Sequence, residues 1–554
     1  MKALVPLTAA STLDSKAPSH VKPDLLDVLK SKTAEINEIC TVSGVAGASI
    51  AVIDHGETIF LHNFGHRDIA DQQPMTSDTI VHIASLTKSF TGVCIHRLGA
   101  EGRLELDDLI QKHLPDAKSR DHVVASTATI ADLLGHRTGL QGADNIWLGS
   151  DGELLIDREE TVPVFNHLRP LTSIRSEFLY NNLGYALLGE IITKLTSQPY
   201  HVYLKETILD HLGLKRTLVS KDDPLPDNVS LAYSTLDNGE PYNVPLPGSS
   251  GSVAMGSAGG LLSTVDDLST YYKALMRSWR KQSQANTPTQ DAKSEKGAIF
   301  GDASWIFAPL QIMETPAFRE KSYASGWARS QLPTTVGDIG TNTKLVDEMP
   351  LLAEGIDSRL ALWHQGSLVG ATSFVMLLPE TESAVVVLTN TMALNDAADW
   401  IGQLLVETLL ESPIQHNYVE LASVSAHRSL KKYADLSHKV EEGRVSGGPS
   451  RPLNDYVGSY VGFGGIFRID VAEEHGQLKI LFQGRKSQEY GLEHHHDGFF
   501  TWFMSWNEQI KRARFIGFIP DVFFIRFNVE GDKVTSLNWV HNKAVPEGED
   551  FVKK

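Results

Sequence analysis

Ser85 and Lys88 are the residues in this chain best suited to covalent chemistry. They stand three apart in His-Ile-Ala-Ser-Leu-Thr-Lys-Ser-Phe-Thr-Gly-Val-Cys-Ile-His-Arg-Leu, residues 82–98. A spacing of three on a helix brings two side chains to one face about a turn apart. A serine hydroxyl is a poor nucleophile at neutral pH and needs a base within hydrogen-bond reach. A buried lysine can be that base, because desolvation disfavours its charged form. A serine at a helix start also has free backbone N–H groups around it, suited to a developing oxyanion. The spacing recurs at Ser19/Lys22, Ser278/Lys281 and Ser429/Lys432, so spacing alone does not single out one pair. Ser85/Lys88 differs in opening an apolar segment where Lys88 is the only Lys, Arg, Asp or Glu between Asp78 and Arg97.

Two further clusters could complete a site. Of the fourteen tyrosines, only Tyr180 has an asparagine two residues on. A phenol near ammonium groups can be held partly ionised and act as a general base, and the Asn182 amide can orient a substrate carbonyl. The bland alternative is a helix cap, for which Asn181 or Asn182 would serve. His364-Gln365-Gly366-Ser367 is the second cluster. There Gly366 admits a close backbone approach and the Ser367 N–H could donate to an oxyanion. A histidine ending a strand is, on its own, more often a polar end group.

These residues need elements to hold them. Phe90, Val93, Cys94 and Leu98 recur at helical intervals, predicting a helix after Ser85 that is buried on one side, with Gly102 near its stop. Residues 24–39 read as a helix. Ala48–Ile53 and Thr58–Asn63 read as a strand pair around a His55-Gly56-Glu57 turn. Leu183–Leu195, Tyr203–Leu214, Val265–Met276 and Ala397–Glu411 read as helices. Leu360–His364, Thr372–Leu378 and Ser383–Thr389 read as a meander. Residues 278–297 are polar and read as an exposed insertion. Beyond a polar stretch ending in Gly447-Gly448-Pro449, short strands follow one another: Ile466–Val471, Leu478–Phe482, Phe499–Phe503, Arg514–Phe518, Val522–Val529 and Val534–Trp539. Their spacing suggests a small β-barrel or sandwich. The division is a polar tail (1–24), a catalytic domain (25–412), a linker (413–450) and a C-terminal β-domain (451–554).

Bulk composition narrows the partners. Lysine plus arginine is 50 and aspartate plus glutamate 68, a formal charge of −18, with no basic stripe, so nucleic acid is excluded as an expected partner. Two cysteines make no disulfide framework. The apolar run 3–10 is broken by Pro6 and is a marginal signal peptide, and no uncharged run is long enough for a membrane span. A cytoplasmic protein without membrane association is expected. Glu493-His494-His495-His496-Asp497 invites a metal reading, in which His494 and His496 share a strand face. No second ligand pair is evident, so an exposed turn and no metal are expected.

Ser-x-x-Lys, then Tyr-x-Asn, then His-x-Gly, in that order, resembles the serine β-lactamase-like and penicillin-binding superfamily. The Tyr-x-Asn form looks like the class C branch, with its esterase, D-aminopeptidase, carboxypeptidase and acyltransferase relatives. The flanks agree: Gly-Val-Ala-Gly-Ala-Ser-Ile-Ala-Val at 44–52, Asp-Leu-Leu-Gly-His-Arg-Thr-Gly-Leu at 132–140 and Ser-Ala-Gly-Gly-Leu-Leu-Ser-Thr at 257–264. The resemblance implies an α+β fold, an antiparallel sheet flanked by helices with an all-helical subdomain. It implies Ser85 as the acylated nucleophile, Lys88 and Tyr180 sharing general-base work, Asn182 positioning substrate, and no cofactor. His364 takes the place of a third-motif lysine, and the N–H groups of Ser85 and Ser367 would form the oxyanion hole.

The departure at His364 weakens a carboxylate-binding site, because imidazole is at most partly charged near pH 7. That favours an ester, thioester or amide of a small molecule over an antibiotic or a cell-wall peptide. The acyl group would pass to water, or alternatively to an alcohol or amine acceptor. Relatives with a small C-terminal β-domain also occur in fungal biosynthetic pathways. The rival from another class is a ligand-binding module that keeps the fold without catalysis. Replacement of Ser85, Lys88 or Tyr180 would have favoured it, and none is replaced.

Overall fold

The computed structural model describes residues 23–219, 226–248, 251–284, 299–314 and 319–554. Nearly all of the expected tail, and most of the polar insertion at 278–297, lie outside the described residues. The sheet centres on β1 (Gly47–Asp54), β2 (Glu57–Asp68), β3 (Ala328–Leu332), β4 (Arg359–Leu368), β5 (Ala371–Leu378) and β6 (Ser383–Thr389). They run β2-β1-β6-β5-β4-β3 inside a nine-stranded sheet, each paired antiparallel to the next. Alternation along β1 explains its composition. Ala48, Ile50 and Val52 enter one apolar cluster, while Ala51 and Ile53 enter the other. Both faces are covered, so the strand reads as a continuous apolar run.

One face carries α1 (Pro23–Ser31), α2 (Thr33–Ser43) and, later in the chain, a C-terminal helix; the other carries a helical lobe. The lobe includes α3 (Thr87–Ala100), α4 (Asn182–Thr196) and α5 (Val265–Gln284). The C-terminal helix is α6 (Ala397–Leu409), and all thirteen of its residues are buried. The helix after Ser85 departs from expectation. Every residue of α3 from Thr87 to His96 is buried, so it is enclosed on all sides. Gly92 makes this possible, since a Cβ there would meet the Ser325 carbonyl oxygen at 2.5 Å. This is why Lys88 is the segment's only charge: a helix without a solvent face has no place for others. Cys94, on α3, and Cys40, on α2, are buried free thiols.

The stretch read as linker holds a 24-residue helix, α7 (Tyr418–Glu441), joining the sheet domain to a closed eight-stranded barrel. The barrel strands are Gly458–Gly462, Phe467–Glu474, Gln477–Phe482, Glu489–His496, Phe499–Thr501, Phe524–Glu530, Lys533–Trp539 and Glu549–Lys553. The first closes on the last through Tyr460↔Lys553 and Val461↔Val552, leaving no unpaired edge. Arg514–Phe518, expected as a strand, is irregular. The expectation for His494 and His496 is also corrected. The three histidines end a strand rather than forming an exposed turn, and a bulge between His494 and His496 breaks the alternation. His495 is buried, with its Nδ1 2.5 Å from His496 Nδ1. Among the described residues no group of three or more His, Cys, Asp or Glu side chains is placed to hold a metal, and no helix is long and apolar enough to cross a membrane.

The barrel grips the loop that follows residue 140. Gln488 both accepts from the Ser150 N–H (2.8 Å) and donates to the Ser150 carbonyl (3.0 Å). Asn542 Nδ2 donates to the Gly142 carbonyl and Asn145 Nδ2 to the His541 carbonyl, each at 2.7 Å. Arg169 binds Glu549 through both Nε (2.8 Å) and a terminal nitrogen (3.0 Å).

Candidate active site

Ser85 lies in a 3₁₀ turn, Ala84–Leu86, that runs directly into α3. Ala84 has φ +47°, a left-handed conformation that strains any residue with a Cβ. The strain is held from two sides. Gly366 on β4 is so close that a Cβ there would meet the Ile83 carbonyl oxygen at 2.6 Å and the Ser373 hydroxyl at 2.3 Å. The Ser373 hydroxyl itself donates to that Ile83 carbonyl at 3.0 Å. On this geometry, Gly366→Ala is expected to lose about 1–3 kcal/mol of stability from overpacking. It should also lower ester turnover tenfold or more by displacing the turn that carries Ser85. Thermal melting and kcat/KM on the purified variant check both.

Lys88 is fully buried one turn along α3. Its Nζ lies 3.0 Å from Ser85 Oγ, 2.8 Å from Asn182 Oδ1 and 2.7 Å from the Ala258 carbonyl oxygen. Burial pushes its pKa down to about 7, against the opposing pull of the Asp144 carboxylate. An ammonium would donate to all three oxygens. A neutral amine has two N–H groups for the two carbonyl acceptors, which leaves its lone pair facing the serine hydroxyl. The Ala258 carbonyl is delivered by a turn, Gly256–Gly259, pressed against α3 and α4. Thr91 Oγ1 donates to the Ser257 carbonyl at 2.7 Å, and Gly189 leaves room for the Ser257 side chain.

Tyr180 ends the irregular segment before α4, and its hydroxyl donates to Ser85 Oγ at 2.9 Å. The two asparagines that follow divide the work. Asn181 caps α4, accepting from the Leu183 N–H at 2.9 Å, and Asn182 reaches Lys88. His136 orders this segment. Its Nδ1 accepts the Asn181 N–H at 3.1 Å, its carbonyl accepts the Leu179 N–H at 2.9 Å, and its ring centroid lies 4.4 Å from that of Tyr180. The expectation of a partly ionised Tyr180 is not supported. Burial pushes its phenol up, with the hydrogen bond to Ser85 opposing, so it is held as a proton donor.

The reason Tyr180 lacks a second ammonium is His364. This residue sits at the site, its ring centroid 6.2 Å from that of Tyr180, but both its nitrogens are engaged. Nδ1 donates to the Gln365 carbonyl at 2.5 Å, so Nε2 must accept from the Tyr323 hydroxyl at 3.0 Å. Burial and the neighbouring Lys88 push its pKa down to about 3. His364 is therefore a neutral, fixed imidazole and no counterpart of a lysine charge. Tyr323 had no signal in the sequence. Gln365 points through the opposite face of β4, where its Nε2 donates to Asp399 on α6 at 2.9 Å.

The third strand stops pairing with β4 at Ala328↔Trp363. From His364 to Leu368 that edge of β4 is released from the ladder, and Ser367 lies on it two residues past Gln365. Ser85, Lys88, Tyr180 and Asn182 thus meet through direct hydrogen bonds, with Gly366 against the Ser85 turn. A hydroxyl, an amine with a depressed pKa and a phenol within 3.0 Å can exchange protons while the hydroxyl attacks a carbonyl. Asp144, 3.1 Å from Asn182 Nδ2, also borders the site and was not anticipated.

Residues 36–408 match the β-lactamase family, and residues 443–551 match a domain of unknown function, DUF3471. Protein flp of Staphylococcus aureus (strain MW2) is 25% identical over 395 residues, covering 71% of this chain and 67% of that protein. A β-lactamase of Pseudomonas fluorescens is 25% identical over 196 residues, 35% of this chain and 51% of the relative. In fold the chain is similar to the octameric penicillin-binding protein homologue from Pyrococcus abyssi, with a TM-score of 0.53 at 21% identity, covering 96% of this chain and 100% of the other. The family match spans well over half of the 554 residues and contains the whole Ser85 constellation, and on that ground the chain belongs to the β-lactamase family, whose members are in general serine hydrolases.

Proposed function

We propose that this chain forms an acyl-enzyme on Ser85 and cleaves an ester, thioester or amide of a small molecule. The observation that carries the reading is the convergence of Lys88 Nζ and the Tyr180 hydroxyl on Ser85 Oγ, at 3.0 and 2.9 Å. Neutral Lys88 takes the serine proton as Oγ attacks the acyl carbon. The tetrahedral oxyanion is held by the N–H groups of Ser85 and Ser367. Tyr180, a protonated phenol, passes a proton to the leaving group, and the proton that Lys88 took from Ser85 replaces it. Asn182 holds the Lys88 amine in register. His364 supplies no charge and acts as a neutral wall fixed by Tyr323, which disfavours substrates that depend on a carboxylate contact there.

Deacylation sets the reaction class. Water as acceptor gives hydrolysis, which is the reading here; an alcohol or amine in its place gives transfer, as in a biosynthetic step. The test is intact-protein mass after exposure to short p-nitrophenyl esters, followed by peptide mapping. An acyl increment on the peptide containing Ser85 is expected, with free acid as product and little ester when an alcohol is added. No adduct and no turnover with esters, thioesters or a fluorophosphonate probe would replace the hydrolase with a ligand-binding module. Efficient nitrocefin cleavage would return the reading to antibiotic hydrolysis.

A further inference from the structure

The charges around Ser85 are unusual in sign for a site that would handle an anionic substrate. His364 and His136 are buried and held neutral, each pushed down mainly by burial. Lys88 is spent on Ser85, Asn182 and the Ala258 carbonyl. Through Asn182 the site also meets a formal negative charge, the Asp144 carboxylate. Asp144 is exposed, and its Oδ1 accepts from Asn182 Nδ2 at 3.1 Å and from Trp147 Nε1 at 2.9 Å. Among the described residues no lysine, arginine or histidine pairs with it, and Oδ2 accepts no hydrogen bond. Asn182 therefore bridges the buried amine and the exposed carboxylate, one amide between them.

The carboxylate is also held rigidly. Trp147 is buried, and its indole N–H fixes the Oδ1 side of the group. Upstream, Asn181 Nδ2 donates to the Gln141 carbonyl at 3.0 Å. From the barrel, Asn542 donates to the Gly142 carbonyl, and on the other flank Asn145 donates to the His541 carbonyl, both at 2.7 Å. A segment tied down from both lobes keeps a charge in place without an ion-pair partner, and such preorganisation is what binding a counter-charge requires.

We infer that Asp144 is a specificity-determining residue that receives a cationic ammonium group on the acyl donor, close to the scissile carbonyl. The inference rests on the serine-hydrolase reading of Ser85 and names the substrate class within it: amino-acyl esters, thioesters or amides. The ammonium docks on Asp144 Oδ2 while the carbonyl carbon faces Ser85 Oγ. Bond making and breaking are those of ordinary acyl transfer, with Asp144 taking no proton. Its role is binding through a charge-assisted hydrogen bond.

The test compares the p-nitrophenyl esters of glycine and propionic acid, which differ in an ammonium for a methyl group. Glycine esters are intrinsically more reactive, so the quantity read is the glycine-to-propionate ratio of kcat/KM in wild type divided by that ratio in Asp144→Asn. It is expected to be roughly 10- to 100-fold, the worth of a hydrogen bond to a charged group. Asp144→Glu, which keeps the charge, should retain part of the preference, and Asp144→Lys should invert it. The wild-type preference should fall with added salt. A quotient within twofold of unity, with both esters turned over by wild type and lost in Ser85→Ala, would overturn the role of Asp144 and leave the nucleophile standing. Turnover of neither ester by wild type, or undiminished turnover in Ser85→Ala, would overturn both.

Discussion

Ser85→Ala is expected to turn over short p-nitrophenyl esters roughly 10⁴- to 10⁶-fold more slowly than wild type, the loss typical of a nucleophile acting with its base as one unit. It should show no acyl increment in intact mass. The structure argues that this loss is chemical and not conformational. The Ser85 hydroxyl is half-buried in a turn whose shape is set by backbone and by Gly366, and its partners Lys88 and Tyr180 are anchored elsewhere. Removing the hydroxyl leaves Lys88 with two carbonyl acceptors, enough for a neutral amine. The melting temperature should therefore stay within a few degrees of wild type, about 1 kcal/mol in a chain this large. A Ser85→Ala protein that still forms a covalent adduct would move the nucleophile elsewhere.

Lys88→Met should cost roughly 10³- to 10⁴-fold in kcat/KM, near the upper range for removal of a general base. The sign of the pH dependence follows from burial. Desolvation disfavours the ammonium, so the Lys88 pKa falls to about 7 and the neutral, active amine predominates above it. In wild type kcat/KM should rise about tenfold per pH unit below 7 and level above it. That limb should vanish from the residual activity of Lys88→Met. Lys88→Arg should not rescue, because a guanidinium stays protonated and its planar fork does not match the Ser85, Asn182 and Ala258 oxygens. A wild-type profile flat through pH 6–8, or a limb that survives in Lys88→Met, would assign the base to another group.

What the sequence shows of this site is what is local. Ser85 and Lys88 meet because three residues make nearly one helical turn, and Tyr180 precedes α4 because Asn181 is a good cap. The separate helices, the first strand pair, the 360–389 meander and the C-terminal β-domain were visible in hydrophobic period and turn residues, while their assembly into an antiparallel sheet flanked by helices came from the family resemblance. The missed features depend on distant parts of the chain. The left-handed Ala84 is imposed by Gly366, some 280 residues away. That His364 is weakly charged was expected from imidazole itself, but its fixing by the Tyr323 hydroxyl and its complete burial are not written in its neighbours. Burial also raises the Tyr180 phenol, and the degree of that burial is not written in its sequence neighbours. In the barrel, Glu489–His496 was overlooked as a strand because charged and histidine residues interrupt its apolar alternation, and a bulge displaces its end.

The clasp of the barrel on residues 142–151 has a consequence for the order in which the protein can come to life. Gly142 and Asn145 are made early, yet their partners Asn542 and His541 follow 400 and 396 residues later. Domains fold largely as they leave the ribosome, whereas contacts of such separation wait for the far partner to be synthesised. During that interval the helical lobe can bring Ser85, Lys88 and Tyr180 together, while the Asp144 wall still lacks its outer support. A nascent chain halted before Asn542 would hold a nucleophile in an unfinished cleft, so full definition of the reaction chamber waits until the barrel segment that carries Asn542 has been made.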